Sequence, residues 1–252
     1  MTKTVASIQV RMGSTRLPGK VMRELLGKPV LRRLYERVKM ATQIDEIVII
    51  TSENIIDDVI EEYCFQNKIE VFRGSENNVL YRILSAMEHY NADIGVTLFG
   101  DCPCVDPKII DQMLTIYKDN LGKYDYVGND LKTTYPPGLE VEIYSINALK
   151  DAHKKNVESE VQEHGTLFIR QHPEIYQLLN IEAPKELYFP DLEIELDTEE
   201  DFFVIETIFK HFHSIGKENF SAQDIVLFML ENPALQNVNK NVERRWKKFR
   251  KD

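Results

Sequence analysis

Long apolar runs are missing from this 252-residue chain, and no stretch approaches the roughly 20 consecutive apolar residues that a bilayer-crossing helix requires. The first residues, Met1-Thr2-Lys3-Thr4, form no apolar leader, so a protein that stays in the cytoplasm and meets no membrane is expected. Cysteine is scarce as well. Cys64, Cys102 and Cys104 are an odd number without the spacing of a disulfide framework, which suits a reducing compartment. Cys102-Pro103-Cys104 reads as half of a zinc site, but no second cysteine pair follows and neither His89 nor His153 stands at a ligand spacing, which argues against structural zinc. Positive charge is in deficit: 31 basic residues face 41 acidic ones, for a formal net charge of −10. That balance argues against general nucleic-acid binding.

The sign of the charge is nevertheless uneven along the chain. Arg11, Arg16, Lys20, Arg23, Lys28, Arg32, Arg33, Arg37 and Lys39 crowd one N-terminal segment, opposed only by Glu24 and Glu36. A local positive field in an acidic protein points to a small anionic ligand.

Short apolar runs alternate with longer amphipathic stretches over the first two thirds, the pattern of βα units feeding a mostly parallel sheet. Val5 to Val10, Glu46 to Thr51, Glu70 to Phe72 and Ile94 to Phe99 read as strands. Helices are expected from about Pro29 to Met40, where Val30, Leu31, Leu34, Val38 and Ala41 recur at helical spacing, from Asn54 to Phe65, and from Asn77 to Tyr90. Asp106-Pro107 opens another to about Tyr117, with aspartate as N-cap and proline at the first helical position. After Tyr124 the rhythm changes. Tyr124 to Gly128 and Leu139 to Tyr144 read as strands of a smaller antiparallel insertion, because the gap between them is too short for a helix. Parallel architecture resumes at Leu192 to Leu196, followed by helices from Thr198 to Phe212 and from Ser221 to Leu230. One domain over 1–236 is expected, with a basic tail over 237–252 that reads as a surface helix or arm.

The strongest chemical signal is Gln9-Val10-Arg11-Met12-Gly13-Ser14-Thr15-Arg16-Leu17-Pro18-Gly19-Lys20. This small-residue turn at a strand end carries three cations. Gly13 permits close backbone approach, successive amides can form an anion-binding concavity, and Arg11, Arg16 and Lys20 can neutralise a triphosphate. An ordinary basic strand-to-helix loop would carry the same residues, and the turn is neither a Walker A loop nor a dinucleotide fingerprint. The second signal is a pair of aspartates that each follow an apolar run, Asp101 and Asp197. If their strands are neighbours, the two carboxylates can hold Mg²⁺, a hard cation that takes one or two carboxylates together with phosphate oxygens. Taken singly, Asp101 also reads as a turn former and Asp197 as a helix-cap neighbour.

Phosphoryl-type transfer needs mainly positioning and charge, and no nucleophile motif is present. Arg73-Gly74 and Ser52 end strands and can reach a base or ribose, or sit as solvated loop residues; Arg82 reads by default as a surface arginine. Glu140, Glu142 and His164 can contact an acceptor or serve as strand-face and surface residues.

Gln9 to Lys20 resembles the signature of the cytidylyltransferase family that contains the spore coat polysaccharide protein SpsF, and is similar to that of CMP-Kdo and CMP-acylneuraminate synthetases. The resemblance runs on through Thr51-Ser52, Phe72-Arg73-Gly74-Ser75, Val79-Leu80-Tyr81-Arg82, Gly100-Asp101-Cys102-Pro103, Tyr135 to Glu142, Glu163-His164 and Leu196 to Asp201. It implies an α/β three-layer sandwich of the nucleotide-diphospho-sugar transferase type, with a mostly parallel central sheet and a small antiparallel insertion. It implies CTP held by the Gln9 to Lys20 loop, Met12, Gly13 and Ser14 included, with Ser52, Arg73, Gly74 and Arg82 as further nucleotide contacts. Mg²⁺ would sit on Asp101 and Asp197, and a sugar-like acceptor near Glu140, Glu142 and His164. The resemblance also implies a homodimer through about 124–173. A glycosyltransferase on the same general sandwich, or a non-catalytic nucleotide-binding subunit, are the competing expectations; the first lacks a convincing Asp-x-Asp, since the acid two residues from Asp197 is Glu195.

Overall fold

The computed structural model describes residues 2–156, 164–245 and 247. β1 (Thr4–Gln9) lies at the centre of the sheet, paired in parallel with β4 (Glu46–Ser52) on one side and β6 (Ile94–Phe99) on the other. With β5 (Val71–Gly74), β7 (Tyr126–Gly128), β8 (Glu142–Ser145) and β9 (Leu178–Asn180), the order is β5-β4-β1-β6-β8-β7-β9. Because the chain runs outward from β1 to β4 and β5 and then returns to β6, the strand order reverses between β1 and β6. The carboxyl ends of these two strands therefore flank a topological switch point, where α/β sheets bind ligands.

Alternation along the strands builds a core on each face. Val5, Val48 and Ile50 pack with Ile83, Met87 and Leu149 of α3 (Val79–His89) and α5 (Ile146–Lys155). Ala6, Ile8 and Ile49 face the opposite way. They pack with α1 (Val30–Val38), α2 (Asp58–Gln66), α4 (Pro107–Asp119) and α7 (Glu199–Ser214) through residues such as Leu31, Ile60, Ile110 and Ile205. Short α6 (Leu167–Gln171), α8 (Ala222–Glu231) and α9 (Pro233–Gln236) complete the two helical layers of a three-layer sandwich. Asp106 caps α4, accepting from Lys108 N at 2.9 Å, and capping boxes start α7 at Thr198 with Asp201 and α8 at Ser221 with Asp224.

β7 and β8 form the antiparallel pair expected after Tyr124, and β8 also pairs antiparallel with β6, so the pair continues the main sheet. The later third departs from the sequence pattern in two places. Helix α5, capped by Ser145 through Ala148 N, was not expected, although Ile146, Leu149 and Ala152 carry its apolar face. Residues 192–196 are extended without forming a strand. They pass the carboxyl end of β6, where Leu196 N bonds Asp101 O at 2.8 Å, and Ile194 N bonds Pro137 O at 2.9 Å. Two different loops thus take the place of one ladder partner. A small hairpin of β2 (Glu24–Leu25) and β3 (Lys28–Pro29) also forms ahead of α1.

The basic N-terminal segment divides structurally. Lys28 and Arg32 pair with Glu36, and Arg33 donates to the carbonyls of Leu25 and Leu26. Arg37 is buried, donates to Val105 O at 2.8 Å and Phe220 O at 2.9 Å, and lies 4.3 Å over the Phe220 ring. It staples α1 to the loops before α4 and α8, and burial pulls its proton affinity below the usual arginine range. Arg37→Leu leaves those buried carbonyls unpaired and should destabilise the fold by about 3 kcal/mol, lowering Tm by roughly 6–12 °C. An unchanged melting temperature in calorimetry would show that the staple contributes nothing.

Candidate active site

The loop after β1 turns because Val10 N bonds Ile50 O at 3.0 Å while Ser14 N and Gly19 N both return to Met12 O, at 2.9 and 3.0 Å. Gly19 has φ 69°, a left-handed conformation that costs glycine little, and the reversal there turns Lys20 inward. Gly100, the first residue after β6, donates to Gln9 O at 2.8 Å. A Cβ at that position would sit 2.6 Å from the same oxygen, so glycine lets the two strand ends approach closely.

Lys20 Nζ spends all three protons: on Asp101 Oδ2 at 2.9 Å, Asp197 Oδ1 at 2.9 Å and Leu196 O at 2.8 Å. Burial alone would lower its proton affinity, yet Asp101 and Asp197 raise it above the usual lysine range. Asp197 responds in the opposite sense: burial works against its charge, but Lys20 and then Arg16 hold its pKa below the usual value. Glu195 joins this pair, and carboxylate oxygens of Asp101, Glu195 and Asp197 all lie within 4.8 Å of one another. Burial first, then Asp101, Asp197 and Glu140, push Glu195 well above the usual carboxylate range. Its Oε2 has no hydrogen-bond partner among the described residues. In the sequence Glu195 reads only as an unconvincing Asp-x-Asp partner of Asp197; the i, i+2 spacing of Glu195 and Asp197, which turns both side chains the same way where the chain is extended, is the signal for it.

A cavity of about 420 Å³ opens over this triad, within the size range of small-ligand sites. Gln9, Arg11, Gly13, Ser14, Arg16 and Lys20 line it from the loop, with Asp101, Asp197 and Arg82. Arg82 is not a surface residue. It is 4% exposed, its Nε lacks a hydrogen-bond partner among the described residues, and burial and then Arg11 push its pKa down to about 10. Two arginines facing one cavity, one of them buried, make an anion-binding arrangement. Burial, followed by Glu140 and Asp101, pushes the neighbouring Cys102 thiol well up, which keeps it an inert thiol.

Four of the expected nucleotide contacts are not brought to the cavity lining. Arg73 bonds Asp58 at 2.6 Å and Glu61 at 2.8 Å together with the carbonyls of Ser52 and Asn54. Gly74 packs beneath Arg82, whose Cγ would be 3.0 Å from an added Cβ. Ser52 Oγ donates to Asp57, and Met12 turns its amide to the same carboxylate at 2.7 Å. Asp57, 1% exposed, also accepts from Thr51 Oγ1 at 2.9 Å. This unanticipated residue anchors the anion loop from behind. Burial opposes its charge, but hydrogen bonds from Met12, Ser52 and Thr51 hold its pKa below the usual value.

Glu140, Glu142 and His164 line the same cavity, with Asp130 and Arg170. Arg170 bridges Asp130 at 3.0 Å and Glu142 at 3.3 Å; Tyr126 Oη donates to Asp130 at 2.6 Å and Thr166 Oγ1 to Glu142 at 2.8 Å. Burial, and then Asp130, push Glu142 up to about 8. Glu163 lies outside the described residues, as does most of the tail beyond Arg245. The described part of the tail is mostly exposed, as expected of a surface arm, but it is pinned to the domain by two buried residues, Asn239 and Arg244.

Known proteins resemble the chain over most of its length. A family model described as cytidylyltransferase matches residues 5–225. The spore coat polysaccharide biosynthesis protein SpsF of Bacillus subtilis (strain 168) is 35% identical over 231 residues, 90% of this chain and 93% of its own length. A 3-deoxy-manno-octulosonate cytidylyltransferase of Escherichia coli is 29% identical over 120 residues, 48% of each chain. The solved structure of a cytidylyltransferase from Leptospira borgpetersenii serovar Hardjo-bovis superimposes with a TM-score of 0.88 at 31% identity, covering 97% of this chain and 99% of that one.

Two consequences can be measured. Asp57→Asn presents one acceptor oxygen in place of two, and should cost about 1–3 kcal/mol at pH 7 in urea unfolding. Because the wild-type pKa is depressed in the folded state, that advantage exists above the unfolded value of 3.8 and disappears in acid; a gap that persists at low pH would contradict the assignment. Glu142 behaves oppositely. Its folded pKa of about 8 against an unfolded 4.5 means that wild-type stability falls as pH rises through that window, and Glu142→Gln should flatten the profile.

Proposed function

The chain belongs to the cytidylyltransferase family, and on that premise we propose that it transfers a cytidylyl group from CTP to a sugar acid or to a sugar or polyol phosphate, releasing pyrophosphate, for surface polysaccharide or glycan biosynthesis. The observation that carries the reading is the meeting of Asp101, Asp197 and Lys20 at the β1/β6 switch point, under a loop whose cations face one cavity. Metal-assisted transfer of a nucleotidyl group asks for this combination of acids and cations.

In this reading the loop receives the triphosphate. Arg11 and Arg82 face its negative charge, and Gly13 and Ser14 offer backbone close to it. An acceptor oxygen attacks the α-phosphorus, the bond from that phosphorus to the bridging oxygen breaks, and pyrophosphate leaves with the electron pair. Arg11, Arg16 and Lys20 stabilise the departing charge. Asp101 and Asp197, with Glu195 beside them, suit Mg²⁺: all three offer hard oxygen donors, and Glu195 Oε2 is without a hydrogen-bond partner among the described residues. The ion would offset repulsion between the acceptor oxygen and the phosphate. Lys20 already bonds two of those carboxylates, so it keeps them in place and limits their mutual repulsion.

The acceptor meets Glu140, Glu142 and His164, and Arg170, which lines the same cavity, supplies a cation. Residues 1–236 form one domain that works in the cytoplasm, a reading from length and composition, and the segment 124–173 forms a homodimer interface, a reading from the family resemblance.

Pyrophosphate release measured for the four nucleoside triphosphates against sugar acids and sugar phosphates tests the proposal. CTP should be preferred, and Asp101→Asn should lower turnover by on the order of 10²–10³-fold with an unchanged fold. Full turnover in that variant removes Asp101 from the reaction, and equal use of all four triphosphates removes the cytidylyl assignment.

A further inference from the structure

The family match ends at residue 225, yet the chain beyond it returns to the cavity. Asp201, fully buried, is the point of attachment. Its Oδ1 accepts from Arg244 Nη2 at 2.8 Å and Asn239 Nδ2 at 2.8 Å. Its Oδ2 accepts from Arg244 Nη1 at 3.0 Å, Thr198 N at 2.9 Å and Asp197 N at 3.0 Å. One carboxylate thus clamps the arginine fork of the tail and the peptide N–H of Asp197 together. A bidentate, nine-tenths-buried pair of this kind fixes orientation strongly. On either side of Arg244 the tail touches the anion loop: Glu243 O accepts from Arg16 Nη1 at 2.6 Å, and Arg245 Nη1 reaches Thr15 Oγ1 at 3.1 Å. Arg245 lines the same cavity as Arg11, Arg16 and Ser14.

Charge accounting gives the contact a purpose. Lys20 and Arg16 pair with Asp101 and Asp197, so two of the three loop cations are already matched by carboxylates. Those two meet the departing pyrophosphate with their charge partly offset, so a bound triphosphate needs further positive partners on the cavity wall. Arg11 and Arg82 are two such partners. Arg245, whose described contact is a neutral hydroxyl, is the third, and guanidinium prefers a phosphate's paired oxygens to a lone hydroxyl.

We propose that the C-terminal segment supplies Arg245 as a phosphate-binding residue at the outer edge of the anion loop, with Arg244 as the positioning residue that anchors it to the turn of Asp197. The ligand is the β- and γ-phosphate portion of a nucleoside triphosphate, and the inference rests on the nucleotidyltransferase reading given above.

Titration calorimetry on the full chain tests it, with CTP, CMP and inorganic tripolyphosphate as probes, with and without Mg²⁺. Arg245→Gln should weaken CTP and tripolyphosphate by about 10-fold and leave CMP, which lacks the outer phosphates, unchanged. Its melting temperature should stay at the wild-type value, since the side chain is exposed. Arg244→Lys should lose a similar factor in CTP affinity, and the double variant should lose little more, because the second change acts through the first. CTP and tripolyphosphate binding by Arg245→Gln equal to wild type overturns the inference while leaving the enzymatic reading intact. Wild type that binds tripolyphosphate through Arg245 but prefers no cytidine nucleotide supports the inference and sinks the cytidylyl assignment instead. Equal weakening of CMP and CTP also overturns it, since the role would then not be phosphate-specific.

Discussion

Lys20 carries the ammonium on which three distant parts of the chain converge. It grows from the loop after β1, meets Asp101 from the turn after β6, and reaches Asp197 and Leu196 O ahead of α7. Removing these charges from water costs several kcal/mol per ion, and the arrangement persists because each ammonium proton has an oxygen within 2.9 Å. Any rearrangement that separates β1 from β6 would leave a buried lysine and two acids without partners. The parallel pairing of those strands, and the close approach that Gly100 permits, are therefore conditions of the site as much as of the fold.

The supporting shell follows the same logic. Asp57 holds the back of the anion loop through Met12 N, while Asp201 holds the backbone of Asp197. In each case a buried carboxylate accepts several N–H and O–H donors, so the loop is oriented by hydrogen bonds on the side that a ligand does not occupy. Around Arg170 another balance holds, in which one arginine serves two acids and burial keeps Glu142 largely protonated near neutral pH. The cavity thus brings together the loop cations, an acidic cluster and a mixed polar wall, the groups that a triphosphate, a metal and an acceptor would require.

Much of the framework was legible from local pattern. Ile94 to Phe99 matches its strand to the residue, and Asp106 and Thr198 cap the helices that follow them. Residues 192–196 misled because apolar alternation describes any extended segment, and only the absence of a ladder partner distinguishes a crossing segment from a strand. Arg73 and Ser52 misled for a related reason: strand-end residues can point toward the switch point or away from it, and here Asp57, Asp58 and Glu61 take them. Glu195 reads in the sequence only as a failed partner of Asp197 in an Asp-x-Asp, and Arg244 lies in a basic stretch that reads as a surface arm.

By itself the sequence determined what depends on near neighbours: the βα rhythm, the caps, the cation-bearing glycine turn and the acids that follow apolar runs. Those features arise from backbone preference and side-chain periodicity over a few residues, and they hold wherever the segment is placed. The tertiary structure alone decided which acids share a site, which arginines are matched by carboxylates and which face the cavity, and that the tail returns to the loop. Those outcomes depend on which chain segments, up to 230 residues apart, come within a few ångströms, where desolvation makes each unpaired charge costly enough to select one arrangement.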